Sequence, residues 1–131
     1  MTPQATVPPA LPVLSVPLTD QAFDSVLFWA DATGVDEIIL RSGEPLAVRK
    51  GSGEPRPLDP RRIPASEISA LSRYVYGEFA PVLLAKGHVL NPRHEVRFSP
   101  GHLVRCAVEI SMGDECFMSF VATMRPLPAH A

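Results

Sequence analysis

The sequence predicts an α+β domain of the PAS-like kind, an antiparallel sheet of about six strands packed by three helices. Three observations predict it. Apolar residues recur at helical spacing in three segments, and elsewhere they alternate or form short runs bounded by Gly, Pro and Ser turns. The segments follow in the order helix, three strands, two helices, three strands, which is the order of helices packed on one face of an antiparallel sheet. The 131 residues, 46% apolar and 20% charged, make one globular domain with an ordinary core.

The first helix spans Asp20 to Thr33, where Phe23, Val26, Leu27 and Ala30 fall on one stripe. Thr19 or Asp20 can cap its start, Gly34 suits the left-handed residue after its end, and Phe28 and Trp29 widen the buried stripe. The run "EIIL" (Glu37–Leu40) reads as a buried strand. Ser42-Gly43-Glu44-Pro45 turns the chain into a second strand, "LAVRK", and Gly51-Ser52-Gly53 turns it into a third around Arg56 to Leu58.

Pro64-Ala65-Ser66 opens a second helix with Ile68, Leu71 and Val75 on one face and Gly77 after it. Phe79 to Lys86 forms a third, shorter helix ended by Gly87. Then "HEVRF" gives a strand and Ser99-Pro100-Gly101 a turn. In "LVRCAVEI" the residues Val104, Cys106, Val108 and Ile110 alternate with Arg105, Ala107 and Glu109. In "CFMSFVATM" one face carries Cys116, Met118, Phe120, Ala122 and Met124. A loop of Met112-Gly113-Asp114 would set Ile110 opposite Cys116, Val108 opposite Met118 and Cys106 opposite Phe120, aligning both apolar faces. In that register the two cysteines lie about four residues apart along the ladder. At ~3.3 Å per residue this exceeds disulfide reach, so both are expected to be core thiols.

Most chemistries lack their residues. A phosphate-binding loop needs G-x-x-x-x-G-K-[ST] between a strand and a helix, so that backbone amides face the phosphates. Here Lys50 precedes the glycines, no Lys-Ser or Lys-Thr follows them, and "EPRPLDP" cannot continue as a helix. The glycines are expected to turn the chain. His88, His94, His102 and His130 form neither a Cys-x-x-Cys nor a His-Glu-x-x-His pattern, and read as scattered surface histidines. No Gly-x-Ser-x-Gly elbow supplies a nucleophile. Asp36 and Glu37 are adjacent on an extended strand and point to opposite faces, so they cannot act as a carboxylate pair. Glu95 reads as a solvated edge charge.

The net charge of −2 leaves no electrostatic footprint for nucleic acid. Residues 1–18, "MTPQATVPPALPVLSVPL", contain five prolines and lack the basic start and apolar core of a secretory signal. They read as a disordered leader before a domain over 19–125, with 126–131 beginning a linker, and the chain is expected to be cytoplasmic. Arg105 is the charge that stands out. It is mid-strand on the face opposite the core, where its planar guanidinium suits bidentate pairing with an anion or a partner carboxylate, or is simply exposed. Arg125, just before Pro126, is a similar candidate.

Several of these segments together resemble a known family, the N-terminal domain of hexameric secretion and pilus ATPases. It includes the PilT-like retraction motors and, more closely, the DotB/TraJ-like ATPases of type IVB secretion and conjugation. The resemblance rests on the helix "FDSVLFWADATG", the strand Val35–Leu40 in place of A-S-D-I-H-L, the Gly43-Glu44-Pro45 turn and Tyr76-Gly77. It continues through Leu84 to Gly87, His94-Glu95-Val96-Arg97, Leu103 to Ala107 and Met124 to Pro128, and so covers Phe23 to Pro128. The sequence departs from the family where Glu37-x-Ile39 replaces Asp-x-His and where one arginine of R-F-R remains, at Arg105.

The resemblance implies a domain preceding a RecA-like ATPase core that would begin after Pro128. This domain would pack against the ATPase domain of its own or a neighbouring subunit in a homo-hexamer beside inner-membrane secretion components. Arg105 and Arg125 would be the nucleotide or neighbour contacts. The resemblance implies ATP and magnesium for the parent protein, with no cofactor and no hydrolysis in this chain alone. A stand-alone PAS-like sensor is a second reading. It would hold a ligand in an apolar cavity that Trp29, Phe117 and Phe120 could line. An adaptor docking on a separate ATPase is a third.

Overall fold

The computed structural model describes residues 18–124. Helix α1 (Asp20–Thr33) begins where the Thr19 hydroxyl accepts the Ala22 N–H at 3.2 Å, and ends at Gly34, left-handed at φ 80°. Strands β1 (Glu37–Arg41), β2 (Pro45–Arg49) and β3 (Arg56–Arg62) form an antiparallel meander. Helices α2 (Ala65–Val75) and α3 (Ala80–Ala85) follow, then β4 (Arg93–Ser99), β5 (His102–Met112) and β6 (Met118–Met124). Among the described residues the six strands make one antiparallel sheet in the order β3-β2-β1-β6-β5-β4, which with the three helices confirms the α+β fold.

The helices cover one face. Phe23, Val26, Leu27 and Ala30 of α1 and Ile68 and Leu71 of α2 pack on the inward residues Ile38, Leu40, Leu46, Val48, Val104, Cys106, Val108, Ile110, Phe120 and Ala122. The rings of Phe23 and Phe120 meet edge-on at 5.4 Å, joining α1 to the centre of the sheet. Leu18 also enters this core, and its amide donates to Glu67 Oε1 at 2.8 Å. The rest of the expected leader, residues 1–17, lies outside the described residues.

The expected β5–β6 register is corrected. Ile110 faces Phe120, Val108 faces Ala122 and Cys106 faces Met124, four residues further along than the loop Met112-Gly113-Asp114 implied. The reversal is longer. A 3-10 turn at Asp114–Cys116 sits between Gly113 and Phe117, closed by the Gly113 N–H on the Phe117 carbonyl at 2.7 Å, with Glu115 left-handed at φ 58°. A slip by an even number of residues leaves every side chain on its own face, so apolar alternation could not detect it. Cys116 therefore falls in the turn. Cys106 is a free, buried thiol, and burial followed by the Asp24 charge pushes it up to about 12.

Phe28 and Trp29 are half-buried at the rim of the core. The histidines are not all surface residues. His94 is only 9% exposed and His102 is half-buried, while His88 is exposed and His130 lies outside the described residues. Alternation along β4 places His94 on the helix-covered face with Val96 and Phe98.

Candidate functional site

The opposite face of the sheet, uncovered among the described residues, carries the candidate site. Alternation sends Glu37, Ile39 and Arg41 of β1, Arg49 of β2, Val121 and Thr123 of β6, Arg105, Ala107 and Glu109 of β5, and Arg93, Glu95 and Arg97 of β4 to this side. Across the strands, Arg49 pairs in register with Glu37, Glu37 with Thr123, Thr123 with Ala107 and Ala107 with Arg93. The small side chains in the middle leave an open trough of about 460 Å³, floored by Ala107, Val121 and Thr123 and walled by Glu37 on one side and Asn91, Arg93 and Glu109 on the other.

Arg105 stands at one end of this face, mid-strand and 65% exposed, as its position in the alternation implied. Its Nε lies 3.4 Å from Glu95 Oε2, on the strand partner directly across. Glu95 is a solvated charge on the edge strand, as expected, and it faces Arg105. An exposed pair of this kind holds little energy, so the guanidinium is free to re-pair with a stronger anion. Glu37 is paired with Arg49, whose Nε is buried without a hydrogen-bond partner. On β1, β2, β4 and β5 this face carries five arginines (Arg41, Arg49, Arg93, Arg97, Arg105) against three glutamates, on a chain whose net charge is −2. It is therefore the more basic side of the domain. Arg125, the other expected contact, lies outside the described residues.

The glycine-rich loop is a turn. Gly51, left-handed at φ 63°, donates its amide to the Asp36 carboxylate, and the chain continues into β3 rather than a helix. A carboxylate at the loop amide takes the place an anion would need, so these residues do not fit the triphosphate of ATP.

The sequence reading missed a polar cluster that runs from the buried His94 out to the exposed Tyr74 beside the helices. Asp24 of α1 accepts from the Tyr74 hydroxyl of α2, and its other oxygen lies 3.1 Å from His94 Nε2 of β4. The Tyr74 and His94 rings meet edge-on at 4.9 Å. The signal in the sequence was the alternation His94-Val96-Phe98, which marks His94 as inward. Trp29, Phe117 and Phe120, the residues a ligand-sensing domain would use, do not meet around a shared space. Phe120 is fully buried, Phe117 is 41% exposed near the β5–β6 turn, and Trp29 sits at the rim of the core.

No protein-family model and no curated protein matches the chain. Solved structures do. The ATPase DotB of Legionella pneumophila superposes with a TM-score of 0.80 at 21% identity, over 88% of this chain and 32% of that one. The chain has a DotB-like fold. The DotB ATPase of Yersinia pseudotuberculosis matches with a TM-score of 0.69 at 21% identity, over 94% of this chain and 37% of its own. The pilus retraction motor PilT, solved with bound ADP, matches with a TM-score of 0.56 at 22% identity, over 76% and 27%. The chain thus spans about a third of the length of the ATPases that share its DotB-like fold. No helix among the described residues is long and apolar enough to cross a membrane.

Proposed function

We propose that the chain is the N-terminal domain of a hexameric secretion or conjugation ATPase of the DotB/TraJ-like, type IVB kind. In this reading it packs against the ATPase domain of its own or a neighbouring subunit and couples nucleotide state to motion. The protein is cytoplasmic and peripheral to an inner-membrane secretion complex. One observation carries the reading: the DotB-like fold occupies 88% of this chain but only 32% of the ATPase it matches. A domain with its own complete core and one basic, uncovered sheet face has the form of a module that works against a larger partner.

The uncovered face is the coupling surface in this proposal. Arg105 contacts the nucleotide or the neighbouring subunit, trading Glu95 for a stronger anion, and Arg125 is a second such contact. ATP and magnesium belong to the ATPase core. In this reading the glycine-rich loop of this domain only turns the chain, its Gly51 amide held by Asp36.

The test is the mass of the native protein in its own cells, by immunoblot against this domain. A band about three times the 14.2 kDa of this chain supports the motor reading. A band near 14.2 kDa replaces it with an adaptor that docks on a separate ATPase.

A further inference from the structure

The two edges of the sheet differ. Edge strand β3 contains Pro57 and Pro60, and its pairing with β2 is broken by a register shift between Pro45 and Ala47, devices that block further pairing. The other edge, β4, has no proline and pairs with β5 in unbroken register from Arg93 to Arg97. Its hydrogen-bond phase is fixed just upstream. Leu90 and Ile110 exchange both backbone bonds at 2.9 Å, and the Val108 N–H donates to the Pro92 carbonyl at 2.9 Å. In an antiparallel ladder such pairs recur at every second residue, so His94 and Val96 also turn their backbone groups toward β5. Asn91, Arg93, Glu95 and Arg97 then turn theirs outward, where β4 has no neighbouring strand among the described residues.

Charged side chains on an edge ordinarily prevent pairing, but here their signs alternate as Arg93, Glu95, Arg97. Antiparallel pairing with a second copy of this strand is governed by where its two-fold axis falls. An axis through Glu95 sets Glu95 against Glu95 and Arg93 against Arg97, and every charged pair repels. An axis through His94 sets Arg93 against Glu95 of the second copy, twice by symmetry, and Asn91 against Arg97. All of these residues carry outward backbone groups, and all precede the register shift between Arg97 and Ser99. Arg93 and Arg97 have no ion-pair partner among the described residues, while Glu95 is 56% exposed beside Arg105 and can hold a second guanidinium. Tyr74, exposed, lies 4.9 Å from the His94 ring at which that axis falls.

We propose that β4 pairs antiparallel with β4 of a second copy of this chain, with the two-fold axis at His94, joining two sheets into one. The interface is isologous and runs along the β4 edge; it shares Arg93 and Glu95 with the rim of the uncovered face but does not require the motor reading, so its failure leaves that reading untouched. The experiment uses the whole chain and measures its mass in solution by sedimentation equilibrium. The wild type is expected to dimerise. Glu95→Arg and Arg93→Glu, both at exposed positions, each set like charges opposite and should raise the dimer dissociation constant by about tenfold or more, while circular dichroism stays unchanged. Mixing the two variants is the decisive arm. Each supplies the charge the other lacks, so the mixture should form a heterodimer that neither variant forms with itself. Backbone amide exchange should slow with rising concentration at Glu95 and Arg97. A wild type that stays monomeric up to its solubility limit overturns the proposal. So does a dimer that Glu95→Arg leaves intact, or a mixture that fails to associate.

Discussion

Asp24 ties three elements together with one carboxylate, joining α1 to Tyr74, 50 residues on, and to His94, 70 residues on. Neither contact has a local sequence signal, because separations of this length are set by the fold alone. Burial, then the Asp24 hydrogen bond and charge, push the Tyr74 phenol above the ordinary tyrosine range. A phenol held protonated in the fold contributes stability that is present below about pH 10 and is lost as pH rises beyond it. Tyr74→Phe should therefore flatten the alkaline limb of the stability curve, as read from denaturant melts between about pH 9 and pH 11. Glu67 has the opposite sign. Burial alone would raise its carboxyl, but the Arg61 hydrogen bonds at 2.9 and 3.0 Å and the Leu18 amide outweigh that and hold it below the ordinary range. Its contribution is present above about pH 4.3 and is lost as pH falls through the lowered value. Glu67→Gln should cost about 1–2 kcal/mol near neutral pH and make acid unfolding less steep, which melting curves across the acid range would measure.

At the scale of elements, helix α1 was legible to its last residue because both of its ends carry chemical markers, Thr19 at the start and Gly34 after Thr33. Gly34→Ala tests the second marker. An added Cβ would meet only Lys50 Cε at 3.6 Å and Nζ at 3.8 Å, an ordinary contact. The cost is therefore that of a left-handed backbone at φ 80°, about 1 kcal/mol by chemical denaturation. Trp29 was less legible. It lies next to the buried stripe of α1 rather than on it, so helical spacing alone did not show that the ring is only half-buried at the rim of the core. Trp29→Ala should cost about 1–3 kcal/mol, below the roughly 3–5 of a fully buried tryptophan, again read from melts. The β5–β6 hairpin shows the limit of pattern reading. Its faces followed from alternation, but its register depended on a left-handed Glu115, a residue type that gives no warning of φ 58°.

At the scale of the whole molecule, one face of the sheet is closed by helices and the other is open and basic, so the interior was more legible than the site. Core positions announce themselves by periodicity. The open face is assembled from β1, β2, β4, β5 and β6, and the meeting of Glu37, Arg93 and Glu109 around one trough needs the strand order β3-β2-β1-β6-β5-β4. Arg105 could be singled out because an inward-outward alternation left a guanidinium in mid-strand. Its partner Glu95 could not be assigned before β4 was paired with β5. An ion pair 65% and 56% exposed is worth about 0–1 kcal/mol, so Arg105→Ala should leave the melting curve of this chain nearly unchanged. In the proposed motor the same substitution removes the guanidinium from the coupling surface. ATP turnover by the full-length protein should then fall while its hexamer still assembles, because the helix-covered core and the remaining arginines of the face are untouched. Unchanged turnover with an intact hexamer would remove Arg105 from coupling, and a collapsed melting curve would show instead that its pair with Glu95 holds the fold.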